Sequence, residues 1–178
     1  MNRPHSVDVV PIAPEWRDEW ARELAAEGSR EAKADGVGYL VFRAGTEIYA
    51  LPAARVVRTG PLPRPHRIPR RSIPVLGVSN LDGTLFLVFS VRALLRAAGE
   101  GDTAETMFVY QDEDIQVCCA VSETLAVVPF RESDWLPMPP ALAPSAPCCA
   151  RHCTEWQGRT VLQIDASEFN RSIREAAR

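Results

Sequence analysis

The stretch Val75-Leu76-Gly77-Val78-Ser79-Asn80-Leu81-Asp82-Gly83-Thr84-Leu85-Phe86-Leu87-Val88-Phe89-Ser90-Val91-Arg92-Ala93-Leu94-Leu95 decides the fold. It reads as strand, tight turn, buried strand and short helical turn. Asp82-Gly83 marks the turn, because a two-residue hairpin needs positive φ and glycine supplies it without steric cost. Leu85 to Phe89 is an unbroken apolar run of β-formers, which predicts burial on both faces. The pattern returns at Cys153-Thr154-Glu155-Trp156-Gln157-Gly158-Arg159-Thr160-Val161-Leu162-Gln163-Ile164-Asp165. Trp156, Gly158 and Ile164 stand where Leu81, Gly83 and Phe89 stand, and Phe169 answers Leu94.

Working outward, each hairpin is preceded by the same elements. Tyr39-Leu40-Val41-Phe42 runs through a turn at Arg43 to Thr46 into Ile48 to Leu51 and on to Val56-Val57. Met107-Phe108-Val109-Tyr110 runs through Asp112-Glu113-Asp114 into Val117 to Val121 and then Leu125 to Val128. Proline-rich connections, residues 60–74 and 129–147, lead from each set to its hairpin, and their prolines forbid central strands there. Short strands with regular turns predict an all-β chain of two small closed barrels, about 39–98 and about 106–166. Lobes of that size have thin cores and must lean on one another. A short C-terminal helix is expected at about 167–177. Before this domain, which spans 37–178, lies an extension, 1–36, with a helix expected at about 15–33. Trp16, Trp20 and Leu24 form a narrow apolar stripe on that helix, suited to packing on the domain, docking a partner or dimerising.

Composition removes several function classes. The formal net charge of −3 argues against a general polyanion binder. The arginines Arg64, Arg67, Arg70 and Arg71 have no aromatic residues between them, so no nucleic-acid face is expected. No apolar run approaches the length of a membrane span, and Met1 to Pro14 lacks the apolar core of a signal peptide; direct membrane insertion is not expected and the cytoplasm is the expected compartment. Lys33 is the only lysine and follows no glycine-rich loop, which removes a phosphate-binding P-loop. Gly77-Val78-Ser79-Asn80-Leu81 lacks the second glycine of a nucleophile elbow, and the three histidines lie apart; no enzyme is expected.

The stretches Leu40-Val41-Phe42, Glu47-Ile48-Tyr49-Ala50-Leu51, Arg67-Ile68-Pro69 and above all Leu76-Gly77-Val78-Ser79-Asn80-Leu81-Asp82-Gly83 resemble the CheW-type chemotaxis coupling proteins. The resemblance covers about Tyr39 to Phe169 and implies two SH3-like five-stranded barrels sharing an interface. It also implies a scaffold with no catalytic activity and no cofactor. Such a scaffold couples the cytoplasmic tips of methyl-accepting chemoreceptors to the CheW-like regulatory domain of a CheA-type histidine kinase, in membrane-anchored arrays. Carried onto matching positions, the docking residues are Val56, Arg58, Arg67, Asn80, Asp82, Gly83 and Leu85. Two positions depart from the family by a reversal of charge. Asp82 stands where an arginine is usual, and Arg58 where an acid is usual. An exchanged ion pair would explain both and requires the two side chains to meet. Two independent surface substitutions are the other explanation. Ser90 replaces a common aspartate and still suits a helix cap.

The remaining chemistry is in the cysteines Cys118, Cys119, Cys148, Cys149 and Cys153, with His152 beside the last. Their spacing is not that of two zinc knuckles, and neighbouring cysteines on a strand point to opposite faces. Small buried thiols are the simpler expectation. A metal- or redox-sensing module on the same fold is the alternative. The resemblance puts both cysteine groups on strands of the second lobe.

Overall fold

The computed structural model describes residues 36–69, 72–98, 104–112, 114–139 and 149–178. The expected helix at about 15–33, with Trp16, Trp20 and Leu24, lies outside the described residues.

The described chain is mostly β. Its strands are β1 (Val37–Ala44), β2 (Glu47–Pro52), β3 (Val56–Pro61), β4 (Val75–Leu81), β5 (Thr84–Ser90), β6 (Thr106–Asp112), β7 (Ile115–Val121), β8 (Glu123–Phe130), β9 (Leu136–Pro137), β10 (Ala150–Trp156) and β11 (Arg159–Ile164). Two helices follow hairpins, α1 (Val91–Leu95) after β5 and α2 (Ala166–Ala176) after β11. Each begins where a side-chain oxygen takes an otherwise unpaired backbone N–H. Ser90 Oγ accepts from the Ala93 amide at 3.2 Å, and Asp165 Oδ1 from the Ser167 and Glu168 amides at 2.9 and 3.1 Å.

One sheet runs β8-β1-β2-β11-β10-β9 and the other β3-β6-β7-β5-β4. These sheets divide the chain differently from the expected barrels at about 39–98 and 106–166. The first half's leading hairpin, β1–β2, sits among β8, β10 and β11, while the second half's leading hairpin, β6–β7, sits among β3, β4 and β5. The two copies have exchanged hairpins. Parallel ladders fix the exchange in equivalent register, with Val88 opposite Cys118 in one lobe and Gln163 opposite Ala50 in the other. The duplication also extends to irregularities. β3 bulges between Val56 and Arg58, and β8 bulges at the equivalent step opposite Val41 and Phe42. β4 bulges between Val75 and Gly77, and β10 between Ala150 and His152. Both late hairpins turn through two residues of positive φ, Asp82-Gly83 (52° and 90°) and Gln157-Gly158 (51° and 72°).

Exchange explains the apolar runs. Alternate side chains of a strand face opposite ways. Within β1 and β2, Tyr39, Val41, Ile48 and Ala50 fill one barrel, while Leu40, Phe42, Tyr49 and Leu51 face the other lobe. In β6, Met107 and Val109 fill the second barrel and Phe108 and Tyr110 face across, where Phe108 packs on Phe42 with ring centroids 5.1 Å apart. Among the described residues the inter-lobe layer is the largest core, with 24 buried residues against 7 and 6 in the barrel interiors. Hydrophobic stabilisation follows buried apolar area, so the lobes hold each other folded. α2 completes this layer through Phe169 and Ile173. The burial expected for Leu85 to Phe89 holds for Phe86, Val88 and Phe89; Leu87 is half-buried, and Leu85 is 71% exposed, because it stands two residues past the turn, beyond the packed part of the hairpin.

Candidate docking face

The strand order β3-β6-β7-β5-β4 leaves β3 and β4 as the edges of their sheet. The Arg58 guanidinium on β3 pairs with the Asp82 carboxylate in the β4–β5 turn, so one ion pair ties the two edges together. The turn is shaped by its own sequence. Asn80 Oδ1 accepts from the Gly83 amide at 2.7 Å, and a Cβ at Gly83 would meet nothing within 4 Å, so the turn faces solvent. Arg58 and Asp82 side chains are 41% and 79% exposed, which leaves the carboxylate outermost. Leu85 flanks the turn. On β3 the bulge leaves Val57 without a register partner and 55% exposed. The result is an ion pair bordered by two exposed apolar side chains, Val57 and Leu85.

The structure thus brings Arg58, Asn80, Asp82, Gly83 and Leu85 together. Val56 is turned partly inward, where it packs on the inter-lobe core; its neighbour Val57 is the presented residue, and strand alternation alone did not reveal this because a bulge breaks the alternation. Arg67 is exposed but lies beside Gly77 rather than at the turn. At a rise of about 3.3 Å per residue, Gly77 is about 16 Å along β4 from Asp82. The loop that carries Arg67 is fastened to β4 by two backbone hydrogen bonds, His66 N–H to Val78 carbonyl at 2.7 Å and Val78 N–H to His66 carbonyl at 2.9 Å. Gly77 permits this: a Cβ there would sit 2.1 Å from the His66 oxygen.

A polar cluster that the sequence did not reveal lies behind β3. Asp112, at the end of β6, pairs with Arg55, the residue before β3. Asn170 of α2 donates its amide to Asp112 Oδ2 at 2.6 Å. The Tyr110 hydroxyl donates to Asn170 Oδ1 at 2.7 Å and lies 3.3 Å from the same Asp112 oxygen.

The described cysteines are buried, and the exchange separates them. Cys118 and Cys119 are on β7 of the five-stranded sheet, while Cys153 is on β10 of the six-stranded one and Cys149 immediately precedes β10, which corrects their expected placement together on strands of a second lobe. Cys118 points into its barrel and Cys119 into the inter-lobe core. Burial pushes the Cys118 thiol up to about 11, against a smaller opposing effect of the Arg58 charge, and raises Cys119 well above the ordinary thiol range. Among the described residues no three His, Cys, Asp or Glu side chains converge on a point that could hold a metal ion.

The family model of the CheW-like domain matches residues 38–174. The chain belongs to the CheW-like family. Among solved structures, it is similar to the scaffolding protein TtCheW from Thermoanaerobacter tengcongensis, with a TM-score of 0.63 and 17% identity over 73% of this chain and 89% of that one. At that identity the likeness speaks for the fold. No curated protein matches the chain in sequence. The family fold is present here with its two sheets of six and five strands. Among the described residues, no helix is long and apolar enough to cross a membrane.

Proposed function

We propose that this CheW-like chain is a non-catalytic adaptor that couples the cytoplasmic tips of methyl-accepting chemoreceptors to the regulatory domain of a CheA-type histidine kinase. It would act in the cytoplasm, at membrane-anchored receptor arrays. The observation that carries this reading is the Arg58–Asp82 pair bordered by Val57 and Leu85. Exposed apolar side chains beside an ion pair suit a protein partner, because apolar contact supplies affinity and charge supplies selection. The meeting of Arg58 with Asp82 supports the exchange of charges relative to the family pattern. A partner matched to the usual polarity would meet like charges here, which disfavours it. The adaptor would therefore serve a dedicated receptor and kinase. Asn80 and Gly83 shape the turn, Val56 anchors β3 from within, and Arg67 lies on a separate, basic part of the surface.

The test is binding of the purified chain to kinase regulatory domains and receptor-tip fragments from the same genome. Comparison should be made with Arg58→Glu, Asp82→Arg and the double reversal. Binding to one kinase and one receptor, lost in each single reversal and redirected by the double, is the expected result. Binding to none of them would overturn the coupling role. Unchanged binding in the reversals would remove the charge pair from recognition.

A further inference from the structure

We infer that Asp112 is a positioning residue for the docking face: through Arg55, Tyr110 and Asn170 it holds Val57, the bulged residue of β3, outward and keeps Arg58 aimed at Asp82. This rests on the reading of that face given above. The geometry is local. Arg55 immediately precedes β3 and pairs with Asp112. Val56 is the register partner of Tyr110, whose hydroxyl joins the same cluster. Of the two residues before the bulge, Arg55 is held by the network through its side chain, and Val56 is paired on the backbone with a member of the network. The Asp112 side chain is only 18% exposed, and hydrogen bonds to a charge in such surroundings are short, directional and stiff.

The internal duplication supplies a comparison within one molecule. In β8, Thr124 faces Phe42 and Ala126 faces Val41, so Leu125 occupies the bulge as Val57 does in β3. Every member of the network is replaced there. Ala44 stands for Asp112, Phe42 for Tyr110, Glu123 for Arg55 and Leu95 for Asn170. Leu125 is partly buried and packs on the barrel core with Phe130 and Val161, whereas Val57 is exposed. Both residues are apolar and both bulges have the same register. The network is a feature that the presenting copy has and the other lacks.

The experiment uses the full chain, isotopically labelled, and compares wild type with Asp112→Asn and Asn170→Leu. Amide hydrogen exchange is followed by NMR at Val57, Arg58 and Thr59, with β10 and β11 amides as the internal reference. The expected result is at least tenfold faster exchange at residues 57–59 with the reference amides unmoved, together with loss of thermal coupling between Arg58→Ala and Asp82→Ala in the Asp112→Asn background. A merely structural role would instead accelerate all amides together by the global loss of stability, and that outcome overturns the inference, as does unchanged exchange at 57–59. If Asp112→Asn does not fold, Arg55→Lys keeps the charge while removing the planar fork, and the same readout applies. Partner binding is measured separately. Altered exchange without altered binding would count against the docking reading and leave the positioning role standing.

Discussion

Gly77→Ala tests how the basic loop is held on the sheet. Gly77 has φ of +149°, and a Cβ built there would lie 2.1 Å from the His66 oxygen and 2.8 Å from its carbonyl carbon. Both are backbone atoms, so no side-chain rotation relieves the contact. Alanine forced into this backbone costs about 1–3 kcal/mol. Moving His66 away also weakens its two hydrogen bonds to Val78, each worth about 0.5–1.5 kcal/mol. The expected destabilisation is about 2–6 kcal/mol, and at about 2–4 °C per kcal/mol for a chain of this size the melting temperature should fall by roughly 4–24 °C. Gly83→Ala is the control. Its φ is +90° but nothing lies within 4 Å of the added carbon, so backbone strain acts there without a clash. Thermal melts by circular dichroism compare the two variants, and amide exchange at Val78 reports the His66 bond directly. Equal losses in the two variants, or a Val78 amide as protected in Gly77→Ala as in wild type, would refute the close-approach argument.

Three further outcomes are expected. Arg58→Ala or Asp82→Ala should each change stability by no more than about 1 kcal/mol, since exposed ion pairs contribute little; a melt at low and high salt checks this, and a larger loss would make the pair structural. The buried thiols should make folding weaken in alkali: Cys118 is raised from 9.0 to about 11, so between those values the unfolded chain ionises while the folded one does not. Stability is then fully present below pH 9 and falls by about 1.4 kcal/mol per pH unit per such thiol as pH rises toward 11; denaturant titrations of wild type and Cys118→Ala across that window measure the slope. Phe169→Ala should cost about 3–5 kcal/mol, because it opens a cavity in the layer shared by both lobes, and Asp165→Ala about 1 kcal/mol through the lost helix cap; urea unfolding should show one cooperative transition in both, and separate transitions for the two sheets would contradict the shared core.

Features legible in the sequence were those whose cause is local. Asp82-Gly83 and Gln157-Gly158 announced their turns, because positive φ is a demand on the residues themselves. Ser90 suited a helix cap for another local reason, a side-chain oxygen within reach of an otherwise unpaired backbone N–H. Period-two runs of β-formers gave the strands, and their repetition gave the duplication. The Arg58–Asp82 meeting was also anticipated, but from family resemblance rather than from spacing, since 24 residues separate them. Tertiary structure alone decided which copy each leading hairpin would join. A repeat encodes how strands pair, and it encodes this equally for both copies, so the choice rests with the large apolar layer that exchange creates between the lobes. The outward turn of Val57 was likewise out of reach, because it depends on a bulge backed by Arg55, Tyr110, Asp112 and Asn170, four polar groups drawn from three separate stretches of chain. Local propensity sets what a segment can become; burial and hydrogen bonding between distant segments set which neighbour it meets and which side chains it presents.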